Sequence, residues 1–241
     1  MPDEQLVITS SSNEKVKYVR KLQSQKRARQ DHQRLVLEGV RLVEEVLRAS
    51  LVPELVLYTE ALAEDGRGKA LLATLRGLGA PYSMVSESVM EDCSDTVTPQ
   101  GILAVLPFPD LAPPQPPTFV LIVDRLRDPG NLGTLLRTAL AAGVEHVVLA
   151  PGTVDFSNPK VVRSAMGAHL RLPITEAGWE TIAETVSSCD VWLAAAGGAL
   201  RYTEVDWRRP AVLVVGSEAH GAGDRACSLA DGRMSIPIQP A

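Results

Sequence analysis

Six prolines fall within the eleven residues Pro107-Phe-Pro-Asp-Leu-Ala-Pro-Pro-Gln-Pro-Pro117. Each one fixes its own φ and removes a backbone donor, so neither a helix nor a sheet interior can run through them. Such a segment forms an extended, semi-rigid spacer. It parts the 241 residues into 1–106 and 118–241, with 107–117 between them. Each part is long enough to bury a core of its own.

The part after the spacer repeats strand, loop and helix. Strands are predicted at Phe119–Val123, His146–Ala150, Val191–Ala195, Ala211–Val215 and Met234–Ile238. Their near-continuous apolar runs suit strands buried on both faces of a parallel sheet. Between the first two, Leu132, Leu135, Leu136, Ala139 and Leu140 recur at helical spacing, and Gly143 offers a carboxy-terminal cap. Asn158 to Gly167 predicts a second helix, with Pro159 in its first turn.

The first part alternates too. Strands are expected at Arg34–Glu38, Leu55–Tyr58, Tyr82–Val85 and Gln100–Leu106, with helices from Asn13, over Val40–Arg48 and over Leu71–Leu78. That order implies a small three-layer α/β module.

Net charge is −5, yet residues 13–34 alone hold eight Lys/Arg and only two acids. This local +6 leaves −11 elsewhere. Lys15, Lys17, Arg20, Lys21, Lys26, Arg27 and Arg29 therefore form a phosphate-seeking surface or a solvated helix face. Aromatic content of 4% argues against heavy base stacking. No apolar run reaches the roughly 18 residues of a membrane span. The start Met-Pro-Asp-Glu-Gln lacks the basic end and apolar core of a secretion signal. Cys93, Cys189 and Cys227 stand far apart, and no His, Cys or acidic cluster has metal-ligand spacing. The expectation is a cytoplasmic protein with reduced thiols and no metal.

In an open α/β sheet, ligands gather at the carboxyl ends of the strands. Three loops belong there by this reading: Asp124 to Asn131, Gly216 to Gly223, and the stretch from Ile236 to Pro240. The expectation is that Asn131, Gly133 and Arg137 gather around one mouth. No G-x-G-x-x-G occurs, so a nucleoside cofactor would be held by loop backbone instead. From the residues alone, Arg137 could be a helix-surface arginine, Asn131 a helix cap and Glu218 a solvated acid. His220 reads as incidental, and His169 as structural or as a polar residue facing a substrate.

Asn131-x-Gly133-x-x-x-Arg137, then Gly216-Ser-Glu218 with Gly221, then Met234-Ser-Ile-Pro-Ile238 follow one another in the order and spacing of three family motifs. On these the second part resembles the SpoU (TrmH-like) branch of the SPOUT RNA methyltransferases. Asn158 to His169 looks like that family's intermotif helix, and Gly-Ser-Glu stands where Gly-Asn-Glu is usual. The first part looks like the substrate-binding domain related to ribosomal protein L30e.

The resemblance implies an α/β-knot fold, a parallel sheet tied in a trefoil, and a homodimer. It implies S-adenosylmethionine as cofactor, held at Gly216, Ser217, Gly221, Ile236 and Ile238, and Arg137, Asn131 and Glu218 as catalytic residues. The activity implied is methylation of a ribose 2′-hydroxyl, in ribosomal RNA ahead of transfer RNA. Family members continue past the third motif's proline with a Ser-Leu-Asn-Val-Ser type turn and a final helix. This sequence stops at Gln239-Pro-Ala241, which reads as truncation. Two other classes stay open: a non-catalytic RNA-binding protein, and a small-nucleotide enzyme using Asp128 to Gly133 as a phosphate loop. That loop lacks the Lys-Ser/Thr ending of a P-loop.

Overall fold

The computed structural model describes residues 6–237 and divides into two compact units. The first runs through Asp110 and also takes in Asp155–Leu170; the second holds Leu111–Val154 and the chain from Arg171 onward.

The first unit begins with the basic segment, folded as two helices, α1 (Glu14–Ser24) and α2 (Lys26–His32). Asn13 caps α1 by accepting the Lys15 N–H. Gln25 is extended and parts the two. Then follow β1 (Arg34–Glu38), α3 (Val40–Arg48), β2 (Leu55–Tyr58), α4 (Glu60–Glu64), α5 (Gly66–Gly77), β3 (Tyr82–Met84), α6 (Glu87–Cys93) and β4 (Ile102–Pro107). The sheet order is β1-β4-β2-β3, antiparallel except for the β2–β3 pair.

Period-two alternation sends the strand side chains to two cores. Leu35, Leu37, Val56, Tyr58, Ala104 and Leu106 join Leu42, Val43 and Val46 of α3 and Leu71, Leu72 and Leu75 of α5. Val36, Leu55, Leu57, Leu103 and Val105 join Val16, Val19 and Leu22 of α1 and Val89 and Met90 of α6. The three-layer module is thus formed. The i, i+3 seam of α1 faces inward and leaves its cations outside. Glu38, buried at the end of β1, accepts hydrogen bonds from the hydroxyls of Ser94 and Thr96 and the Asp95 N–H.

The second unit opens with β5 (Phe119–Val123), α7 (Pro129–Ala141) and β6 (His146–Leu149). The next helix, α8 (Pro159–Ala165), is capped by Asn158 and packs on β1, within the first unit. Then come β7 (Ile174–Glu176), α9 (Trp179–Thr185), β8 (Asp190–Ala194), β9 (Leu200–Arg201), β10 (Ala211–Val215), α10 (Asp224–Leu229) and β11 (Gly232–Ser235).

Seven strands form one sheet in the order β7-β6-β5-β10-β8-β11-β9, and every pairing is parallel. Val120, Ile122, Val148, Val191, Leu193, Val212 and Val214 build one core with Ile182 and Ala226 of α9 and α10. Leu121, Val123, Val147 and Leu149, on the other face, are also buried. The chain steps outward from β5 to β6 to β7, then returns to β8, with β10 inserted between β5 and β8. Such a reversal leaves a crevice at the carboxyl ends of the strands. Those of β5, β10, β8 and β11 lie side by side there.

Candidate active site

The loop after β5 starts with Asp124, which is 2% exposed. A buried carboxylate needs partners. Its Oδ2 accepts the Gly223 N–H at 2.6 Å, and Arg125 lies 3.6 Å from Oδ1. Asp124 therefore ties the loop after β5 to the far end of the loop after β10. Sequence reasoning passed over it, although an acid ending a run of five apolar residues was a signal.

Arg125 has φ +56°, the left-handed region, with its N–H donating to the Thr153 hydroxyl. Arg125, Arg127, Ser217, Glu218, Ala219 and His220 line a hollow of about 250 Å³. Arginines thus face a carboxylate and an imidazole across the mouth.

Asp128 caps α7 by accepting the Asn131 N–H at 2.8 Å, and Pro129 takes the first helical position. Asn131 is accordingly not the cap. Its Nδ2 donates to Glu218 Oε1 at 2.6 Å, which brings two of the predicted site residues together across 87 positions of the chain. Gly133 is buried within α7. Arg137 lies six residues after Asn131, about 9 Å along the axis and about 120° around it. Asn131 and Glu218 are bonded directly, whereas Arg137 makes no hydrogen bond or ion pair to either of them. Arg137 is exposed, and among the described residues it has no ion-pair or hydrogen-bond partner.

The loop after β10 is a tight turn. Ser217 and Gly221 exchange backbone hydrogen bonds, and the His220 N–H donates to Ser217 Oγ. A Cβ on Gly216 would stand 2.3 Å from the Ala222 nitrogen, so only glycine allows this return. The loop after β8, Ala195 to Ala199, was missed from sequence. A strand running into Gly197-Gly198 was the available signal. A Cβ on Gly198 would come within 2.4 Å of the Met234 backbone carbon, and the Ala195 N–H donates to Met234 O. This loop therefore lies directly on β11. Beyond β11, Ile236 is 58% exposed. Ile238, also expected to hold cofactor, lies outside the described residues.

The turns after β10 and β8 offer closely folded backbone, Ile236 beyond β11 an exposed apolar side chain, and the first of these turns also carries Glu218. Backbone amides and carbonyls, an apolar surface and a carboxylate are what an adenosine joined to an amino acid through a cationic sulfur requires. The residues fit such a group.

Of the seven basic residues expected to face RNA, Lys15, Lys17, Arg20, Lys21, Lys26 and Arg27 are exposed. Arg29 is not, and its assignment is corrected. It is 3% exposed, paired with Asp155 at 2.7 Å, and donates to Leu22 O, Gln23 O and Ser157 Oγ. All three of its side-chain nitrogens donate within the first unit's interior. His169 is buried, its Nε2 donating to Phe156 O at 2.7 Å, so it is structural rather than facing RNA. Burial pushes its imidazole down to about 4, against the opposing pull of that carbonyl and of Asp155. Among the described residues no group of three His, Cys, Asp or Glu side chains could hold a metal ion, and no helix is long and apolar enough to cross a membrane.

Residues 118–241 match the model of the SpoU rRNA Methylase family, and residues 13–104 match that of an MRM3-like substrate binding domain. The 23S rRNA (guanosine(2553)-2′-O)-methyltransferase RlmP of Bacillus subtilis is 33% identical over 236 residues, covering 96% of this chain and 90% of that protein. An uncharacterized tRNA/rRNA methyltransferase of Synechocystis is 33% identical over 238 residues, covering 97% and 86%. Among solved structures, the AdoMet-bound rRNA methyltransferase from Sinorhizobium meliloti superposes with a TM-score of 0.82 at 27% identity, covering 98% of this chain and 90% of that one. The chain belongs to the SpoU rRNA methylase family.

Proposed function

We propose that the chain transfers a methyl group from S-adenosylmethionine to a ribose 2′-hydroxyl of ribosomal RNA. The observation that carries this reading is the convergence of four parallel strand ends on closely turned loops, with an uncommitted guanidinium on the adjoining helix. Support for an RNA of the ribosome comes from the 23S rRNA methyltransferase relative and from the substrate-binding match over residues 13–104.

Gly216, Ser217 and Gly221 of the turn after β10, with Ile236 after β11, would hold the cofactor. When bound, it supplies an electrophilic methyl group. The protein must then position the ribose and ease loss of a proton whose pKa lies far above neutrality. A planar guanidinium such as that of Arg137 is better suited to grip a phosphate than to act as base. A bidentate hold on the phosphate beside the target ribose orients the hydroxyl, whose proton passes to a phosphate oxygen. The Asn131–Glu218 hydrogen bond fixes the rim of the loops. Lys15, Lys17, Arg20, Lys21, Lys26 and Arg27 would contact the RNA backbone.

A homodimer, a trefoil knot and a cytoplasmic location complete the reading, all three supported by family membership alone. Mapping ribose methylation across cellular RNA with and without the gene tests the reading. Loss of one methylated ribose in ribosomal RNA is expected; loss confined to transfer RNA, or no loss, contradicts it.

A further inference from the structure

A second hollow, of about 430 Å³, opens in the first unit between the carboxy-terminal half of α1 and the end of α6. That volume lies within the roughly 300–1,000 Å³ of pockets that take small molecules. Lys17, Arg20 and Lys21 line one wall, Asp92 and Asp95 the other, and Gln23 is among its lining residues.

The two carboxylates are already engaged. Asp92 accepts from the Ser11 hydroxyl, and Asp95 pairs with Arg163 at 2.8 Å. Lys17 pairs with Glu14. Arg20 and Lys21 are exposed and, among the described residues, have no side-chain partner. The hollow thus presents uncommitted positive charge. Gln23 is the odd member. Its Oε1 and Nε2 are both shut off from solvent, and neither has a hydrogen-bond partner. A carboxamide in that state lacks what buried polar groups require, and no hydrogen bond holds its rotamer. It offers one donor and one acceptor side by side, the pattern that reads a base edge.

We propose that this hollow takes one unpaired nucleotide of the RNA substrate, with the Gln23 carboxamide turning to pair with the base edge and Arg20 and Lys21 gripping the flanking phosphates. The site lies in the first unit and involves none of the methyl-transfer residues. No aromatic side chain lines it, so selection comes from hydrogen bonding rather than stacking. The proposal rests on the reading of the chain as an RNA methyltransferase and adds a second point of base recognition to it.

The test uses the full chain and fluorescein-labelled single-stranded hexaribonucleotides of A, U and C, with a mixed-sequence RNA duplex for comparison, titrated by anisotropy at several salt concentrations. Wild type is expected to favour one of the three single strands at least fivefold over the others, and to favour it over the duplex. Gln23→Leu should level the three to within about twofold while keeping the salt dependence. Arg20→Gln with Lys21→Gln, both on the surface and harmless to folding, should weaken all three and lower the salt slope by about 1.4. Retained preference in Gln23→Leu, or an undiminished slope in the double variant, overturns the proposal. So does wild type that binds the duplex as well as any single strand, or shows no preference among them. Ribose methylation of ribosomal RNA by the same preparations separates the two readings. If methylation proceeds while the base preference is absent, only the nucleotide pocket is lost; if neither RNA binding nor methylation occurs, both fall.

Discussion

The basic helices of the first unit and the helix that follows β5 in the second each carry an arginine, Arg29 and Arg137, and these two use the guanidinium in opposite ways. Arg29 is enclosed, and its donors are divided among one carboxylate, one hydroxyl and two carbonyls. Arg137 stands in solvent, without a partner among the described residues. The lesson is that a cation's place in a charge run says little about its work. What matters is whether the fold has already satisfied its donors. A satisfied arginine is a strut, and an unsatisfied one is available to a substrate.

Four substitutions would break or sharpen that contrast. Arg29→Ala leaves Asp155 buried without its cation, and loss of one partner from a buried pair costs about 3–5 kcal/mol. Chemical denaturation should show a loss of that size; an unchanged unfolding free energy would remove the strut. Arg137→Ala should leave the unfolding midpoint in place and cut methyl transfer about 10²–10³-fold, the usual loss when one charge-stabilising donor is removed. A stability loss there instead would make the two arginines alike.

His169 supplies the next test. Its folded imidazole titrates near 4 rather than at its ordinary value because burial disfavours the charged ring. The unfolded chain takes up the proton near 6.5, so stability is full above that value and falls as pH drops toward 4. At about 1.36 kcal/mol per unit, the loss reaches about 3 kcal/mol. Burial pushes His146 of the second unit in the same direction. Unfolding free energies at pH 7 and pH 4.5 should differ by less in His169→Gln than in wild type; equal slopes would contradict this. The smallest effect is expected from Asn131→Ala, which removes the link to Glu218. Turnover should fall about tenfold, in keeping with one hydrogen bond to a charged group. Loss as great as that of Arg137→Ala would give Asn131 a direct part in the chemistry.

Much of the fold was legible because buried strands declare themselves. Arg34–Glu38, Leu55–Tyr58, Phe119–Val123 and Ala211–Val215 were readable to the residue, since apolar runs bounded by polar groups leave little choice. Edge strands declare less. Ile174–Glu176 has one apolar residue in three and Leu200–Arg201 is only two residues long, so neither gave a pattern. The short helices Glu60–Glu64 and Glu87–Cys93 were overlooked, although Thr59 and Ser86 stand before them as caps.

The motif residues of the candidate site could be picked out in the sequence, but not the wiring between them. Nothing local announces that Asn131 reaches Glu218, or that Asp124 holds Gly223, because those bonds span 87 and 99 residues. Arg29 was misread for the same reason. Its partner Asp155 lies 126 residues away, and a linear count of charge cannot see it.

The central claim is that the turns after β10 and β8, with Ile236 beyond β11, hold S-adenosylmethionine beside a guanidinium that acts on the RNA and not on the fold. Calorimetric titration of the cofactor into wild type and Arg137→Ala tests it most directly. Saturable binding to both proteins, with affinities within about twofold and methyl transfer only by wild type, is the predicted result. Absence of cofactor binding to wild type, or its loss in Arg137→Ala, would contradict it.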